Sequence, residues 1–191
     1  MTAMPTRGRV FVASLAIVLL GVAGCSNTSA GSPVPTSPAG GSQTVSNPST
    51  STEDAAARLA ALDPCTLLTK AQLDQYGLGK QESGNLAGAR TCSWIHPSGE
   101  NGTDGFSLTP AIWDRQGLRD MNTNGYSVTD VVVGNHQARQ AAQIGGIGCF
   151  VAIGVTDSSR VDVISSSDPE HSCVLANQFA KLIEPRLPGG G

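Results

Sequence analysis

The chain has 191 residues, 39% hydrophobic, 4% aromatic and 14% charged, with a formal net charge of −3. Its basic residues are scattered singly, with no basic stripe and interleaved aromatics, which speaks against nucleic acid as a partner. Nor is there a polybasic patch for anionic lipid.

The first element is a leader. Arg7 and Arg9 precede Val10 to Leu20, an apolar run broken only by Ser14, the layout of a secretory signal peptide. The run is too short for a comfortable span of about 20 residues. It ends in Val22-Ala23-Gly24-Cys25, which resembles the bacterial lipobox. That resemblance implies cleavage after Gly24, a diacylglyceryl group on the Cys25 sulfur, and attachment of the protein to the outer side of the cell membrane. Two acyl chains make a stable anchor where one is marginal. Residues 1–24 are then the signal peptide, and their loss leaves ten basic against fifteen acidic side chains.

Residues 25–52 follow as the lipidated cysteine and a tether. Ser26 to Thr52 contains 20 Ser, Thr, Pro or Gly residues out of 27 and no charge. Such a segment buries too little apolar surface to offset chain entropy, and disorder is expected. Its average reach is roughly 30 Å and its stretched limit roughly 90 Å. Asn27-Thr28-Ser29 and Asn101-Gly102-Thr103 match the N-glycosylation triplet.

Residues 53–191 make one domain. Glu53 to Leu62 is Ala-rich and reads as a short helix. Asp63-Pro64 is an N-cap followed by proline, opening a helical turn over Pro64 to Leu68. Thr69 to Gln72 is a capping box, starting a helix over Lys70 to Tyr76 that Gly77 ends. Strand signals follow at Thr91 to Ile95, Gly105 to Ile112, Tyr126 to Val133, Gln137 to Gln143, Ile147 to Val155 and Arg160 to Ser165. Gly99 to Gly105 reads as a hairpin loop, and Trp113 to Asn122 as a short helix. Asp168-Pro169 opens a last helix, with Leu175, Phe179, Leu182 and Ile183 on one face, stopped by Pro185. The expected fold is α+β: an antiparallel sheet of five or six strands, helices packed on one face, and two disulfides.

With Cys25 lipidated, Cys65, Cys92, Cys149 and Cys173 remain. An even number in an exported chain reads as disulfides. Three connectivities are open. The favoured one pairs Cys65 with Cys92 and Cys149 with Cys173, stapling each terminal helix to its nearest strand in sequence.

No catalytic or cofactor signature is present. His96, His136 and His171 lack metal-ligand spacing and read as surface or half-buried residues. The cysteines are too far apart for a zinc site. No Gly-x-Ser-x-Gly turn occurs. Gly145-Gly146-x-Gly148 precedes a β-type run rather than a helix, so it reads as a bulge or a close approach, not a phosphate cradle. Asp63 and Asp168 read as helix caps. Trp94 lies near Cys92 and Trp113 near a strand end; packing is the expected role of both, with a place in a ligand groove the alternative for Trp113. No metal, no cofactor and no enzymatic activity are expected.

"LDPCTLLT" at the domain start, "CSWIH", "VVVGNHQAR", "CFVAIGV" and the C-terminal "DPEHSCVLANQFAKLIEPRLP" resemble a family of actinobacterial lipoproteins. That family is described only as a domain of unknown function, number three-five-five-eight. The resemblance spans Leu62 to Pro188 and implies export, a lipid anchor and paired cysteines, but no reaction. The chain departs from it where Glu170 to Ser172 separate Pro169 from Cys173. The expected function is a membrane-tethered binding or sensing module of the cell envelope, acting on an envelope protein, a wall glycan or a small molecule. The alternative is a carrier of a hydrophobic ligand between membrane and wall, which requires an apolar cavity between sheet and helices.

Overall fold

In chain order the computed structural model, which describes residues 48–99 and 105–190, runs from an N-terminal helix through seven strands to a C-terminal helix. The leader, Cys25, residues 25–47 of the expected tether, both Asn triplets and the centre of the Gly99 to Gly105 loop lie outside the described residues. No described helix is long and apolar enough to cross a membrane.

Helix α1 spans Pro48–Ala60. It therefore begins five residues before the expected helix, within the stretch read as tether. Proline is pre-organised for the first helical position, and the Ala-rich continuation carries the helix on. A 3₁₀ turn, Pro64–Thr66, follows, with the Asp63 carboxylate accepting from Cys65 N at 2.9 Å. Helix α2, Lys70–Gln75, starts on the capping box: Gln72 N donates to Thr69 Oγ1 and Thr69 N donates to Gln72 Oε1. Gly77, at φ +59°, takes the left-handed conformation that ends it.

The strands are β1 Gln81–Leu86, β2 Ala89–His96, β3 Phe106–Trp113, β4 Tyr126–Val133, β5 His136–Gln143, β6 Gly148–Thr156 and β7 Ser159–Ser166. They form one sheet in the order β1-β2-β3-β7-β6-β5-β4, every neighbouring pair antiparallel. The sheet thus has seven strands rather than five or six. The additional one is β1, "QESGNL", whose six residues are all exposed. An edge strand with no buried face needs no apolar alternation, so it carries no period-two signal. Its hairpin turn is Ala87-Gly88, both at positive φ, the twist that two-residue hairpins require.

Two further expectations are corrected. The segment Trp113 to Asn122 is not a helix: β3 runs through Trp113, and only Leu118–Asp120 forms a 3₁₀ turn. The last helix, α3, spans Ser172–Ile183 rather than opening at Asp168-Pro169. Asp168 instead caps the preceding turn, its Oδ1 accepting from Glu170 N at 3.0 Å and His171 N at 3.1 Å.

Alternation along the strands sends Cys92, Trp94, Leu108, Ile112, Cys149, Val151, Ile153, Val161 and Val163 into one core, with Leu59 of α1 and Ala176, Phe179, Ala180 and Ile183 of α3. The four α3 residues repeat at three, four and seven, one helical face. Cys65 is bonded to Cys92 and Cys149 to Cys173, each with Cα atoms 5.0 Å apart. The first bond ties the Pro64–Thr66 turn to β2, the second ties the start of α3 to β6. The opposite face of the sheet carries a smaller cluster, Met121, Ala141 and Ala152, with Tyr126 set edge-on to Phe150 at 5.2 Å.

Candidate functional site

At one end of the sheet lie the β4–β5 turn, the β6–β7 turn and the end of β3. Here the chain builds a cleft of about 760 Å³. It is bounded by α1, the Leu118–Asp120 turn, both hairpin ends and the C-terminal segment.

One wall rests on a buried pair. The β4–β5 turn needs Gly134 for two reasons. Its φ is +55°, and a Cβ there would overlap the Glu184 side chain. That close approach brings Glu184 Oε1 to 3.0 Å from Asn135 N, which donates to it, and to 2.9 Å from His136 Nδ1. His136 Nε2 lies 3.0 Å from the Pro188 carbonyl. Both side chains are buried, at 8% and 4% exposure. A neutral imidazole has one N–H and satisfies one of these two acceptors; a doubly protonated ring satisfies both. The pair fastens the end of α3 and the C-terminal segment to the hairpin. His136 is therefore more deeply placed than the surface or half-buried position expected for it.

The facing wall is the loop after β3. Arg160 and Asp162, two apart on β7, share the sheet face away from α3. Arg160 Nε donates to Asp162 Oδ1 at 2.9 Å, and Arg160 Nη1 donates to the Gly117 carbonyl at 3.0 Å and the Gln116 carbonyl at 3.2 Å. The Trp113 indole N–H donates to Asp162 Oδ2 at 2.7 Å, and the Arg160 guanidinium lies 4.6 Å from the Trp113 ring centroid. Burial pushes the Asp162 carboxyl above its ordinary value, and the Arg160 charge and the hydrogen bonds from Arg160 and Trp113 pull the other way without cancelling it. Gly117 seats the loop against the β6–β7 turn, where a Cβ would overlap the Asp157 carbonyl. Arg139 of β5 completes the wall: its Nε donates to Asp130 Oδ1 at 3.0 Å and its Nη1 to the Leu118 carbonyl at 3.2 Å.

Between these walls the lining includes Arg58, Arg119 and Arg139 against the single carboxylate of Asp157, with Ser51, Thr52, Asn135 and Gln137 as neutral polar groups. Arg58 and Arg119 are exposed and make no ion pair among the described residues.

The residues singled out in the sequence sit elsewhere. His96 stacks on Phe106 at 5.1 Å, with Nδ1 3.2 Å from the Gly77 carbonyl. His171 Nδ1 lies 2.7 Å from Asp168 Oδ2. Trp94 is fully buried in the core, and Trp113 braces the Arg160–Asp162 pair rather than lining the cleft. Gly146 closely approaches the Gln143 side chain in the β5–β6 turn. No group of three or more His, Cys, Asp or Glu residues with metal-site geometry occurs among the described residues.

The family described as "Protein of unknown function (DUF3558)" matches residues 20–186. The chain belongs to that family. Comparison with curated proteins and with solved structures gave no match.

The cleft escaped sequence reading because its parts come from α1, three loops, the ends of β5 and β6, and the C-terminal segment. One local signal was available: in "RVDVIS" two charges alternate with Val, which places Arg160 and Asp162 side by side on one face.

Proposed function

We propose that this member of the family is a lipid-anchored binding or sensing module on the extracytoplasmic side of an actinobacterial cell membrane. The anchor rests on sequence: the basic flank, the short apolar run and Val22-Ala23-Gly24-Cys25. Binding rests on the cleft. There loops, helix and C-terminal segment converge on a solvent-open concavity, held by pairs that do not belong to the apolar core. The carrier alternative draws no comparable support. The space between sheet and α3 is filled by Trp94, Leu108, Val151, Val163 and Phe179, each 0% exposed.

The test of the anchor is Cys25→Ala in cells. The expected result is an unprocessed precursor without acyl mass; a variant that is processed and membrane-bound like wild type overturns the anchor. The test of binding is a photocrosslinker at Gln137, on the cleft lining. A discrete adduct absent with the crosslinker at Lys80 supports it, and identical patterns from the two positions count against it.

A further inference from the structure

We propose that the end cleft takes a phosphate-bearing anion, held by Arg58, Arg119 and Arg139. This rests on the binding reading of the same cleft and names its ligand class. The chain as a whole is acidic, fifteen carboxylates against twelve bases, yet the lining inverts that balance, with three guanidinium groups and one carboxylate. Every cationic side chain there is arginine and none is lysine. A planar guanidinium presents paired N–H donors that match two oxygens of a phosphate or carboxylate.

The three are placed differently. Arg139 is held by Asp130 and the Leu118 carbonyl, so it enters the site already oriented. Arg58 on α1 and Arg119 on the facing loop are exposed, with no ion pair among the described residues. The lining therefore sets two uncommitted cations, from two different elements, around one that is fixed. Ser51, Thr52 and Gln137 add hydroxyl and amide groups suited to the neutral, hydroxylated part of a phosphate ester. Apart from His136 the lining has no aromatic ring, so a neutral sugar finds no stacking platform. Asp157 is the one carboxylate on the cleft lining, Asp130 pairing with Arg139 from outside it, and it fits a ligand hydroxyl rather than the phosphate. Glu53 and Asp54, the acids of α1, are not lining residues.

The experiment uses the full chain in non-ionic detergent, titrated calorimetrically with sn-glycerol 3-phosphate, with micelles containing phosphatidylglycerol, and with N-acetylglucosamine as the uncharged control. The expected result is binding of a phosphate probe that weakens with added salt. Arg58→Ala with Arg119→Ala weakens it by about tenfold or more, the scale of losing charge-assisted hydrogen bonds. Lys80→Ala with Lys181→Ala removes the same formal charge outside the cleft and changes it less than about twofold. Binding of glycerol 3-phosphate identifies a soluble phosphate ester as sufficient; binding of the lipid micelle alone identifies a headgroup at the membrane surface. Absence of binding in both phosphate arms overturns the proposal, as does affinity equal in the two double variants. If phosphate fails while the Gln137 crosslinker still yields its adduct, the ligand class is wrong and the binding reading stands. If both fail, both fall.

Discussion

On the helix-bearing face of the sheet, Trp94, Leu108, Val151 and Val163 meet Phe179 and Ile183 with no solvent between them, and two disulfides tie the flanking helical segments down. On the opposite face the sheet presents Arg160 and Arg139, which donate to carbonyl groups of a single loop, with Asp162 accepting from Arg160. Apolar contact is non-directional and stabilises whatever packs densely. Ion pairs and hydrogen bonds contribute less net free energy when buried, but they hold geometry. The first face thus supplies stability, and the second fixes where the loop of the cleft wall stands.

The comparison breaks first at its centre. Phe179→Ala is expected to cost about 3–5 kcal/mol, because a fully buried ring leaves a cavity under α3. Arg160→Met is expected to cost a similar about 3–5 kcal/mol, since it leaves Asp162 buried without its cation. The two differ in rescue. Adding Asp162→Leu to Arg160→Met is expected to recover most of the loss in chemical denaturation, while the loop remains detached. If the single Arg160 variant is as stable as wild type, the buried pair has no structural weight.

The covalent ties come next. Cys149→Ala with Cys173→Ala opens a link across 24 residues and is expected to cost about 2–4 kcal/mol. The thermal midpoint in oxidising buffer measures it; wild type under reducing conditions, which also opens Cys65–Cys92, should melt lower than this variant.

A finer contrast lies in acid. The Asp162 carboxyl is raised by burial, so its contribution is greatest below the ordinary value of 3.8 and is lost as pH rises through the folded value. Asp168 behaves oppositely. Desolvation pushes it up, but hydrogen bonds from the His171 ring, the Ser167 hydroxyl and the His171 and Glu170 amides together hold it below 3.8. Its contribution is present above 3.8 and is lost as pH falls through the folded value. In stability measured across acid pH, wild type should gain on Asp162→Asn as pH falls, and should lose ground to Asp168→Asn. Parallel curves for the two variants would contradict the opposed shifts.

The smallest effect is expected inside the apolar face itself. Ser165 Oγ and Trp94 Nε1 are buried with no hydrogen-bond partner among the described residues. Ser165→Ala removes an unsatisfied hydroxyl and should leave the denaturation midpoint unchanged or raise it slightly, by about 0.5 kcal/mol or less. A clear loss would reveal a partner for that hydroxyl.

These contrasts also explain what the sequence displayed. Local chemistry was legible: the Thr69–Gln72 box starts α2, Gly77 ends it, and strands with one buried face alternate visibly. β1 was not legible, because six exposed residues of an edge strand record pairing only through backbone groups. The segment after β3 read as a short helix, yet Arg160 and Gly117 hold it as a loop through contacts 40 or more residues apart. Apart from the alternation in "RVDVIS", the cleft is of this second kind. Glu184 and His136 are 48 residues apart, and neither carries a local mark of the other.

The strand order has a kinetic consequence. β1–β3 form one meander and β4–β7 another, and the strand pairing that joins them in the sheet is β3 with β7. A chain delivered from its N-terminus therefore holds β3 with one side unpaired until residues 159–166 arrive. The seam closes last, and a chain cut short before Ser159 presents Phe106–Trp113 as a bare adhesive edge, the kind of surface that quality-control proteases and chaperones engage.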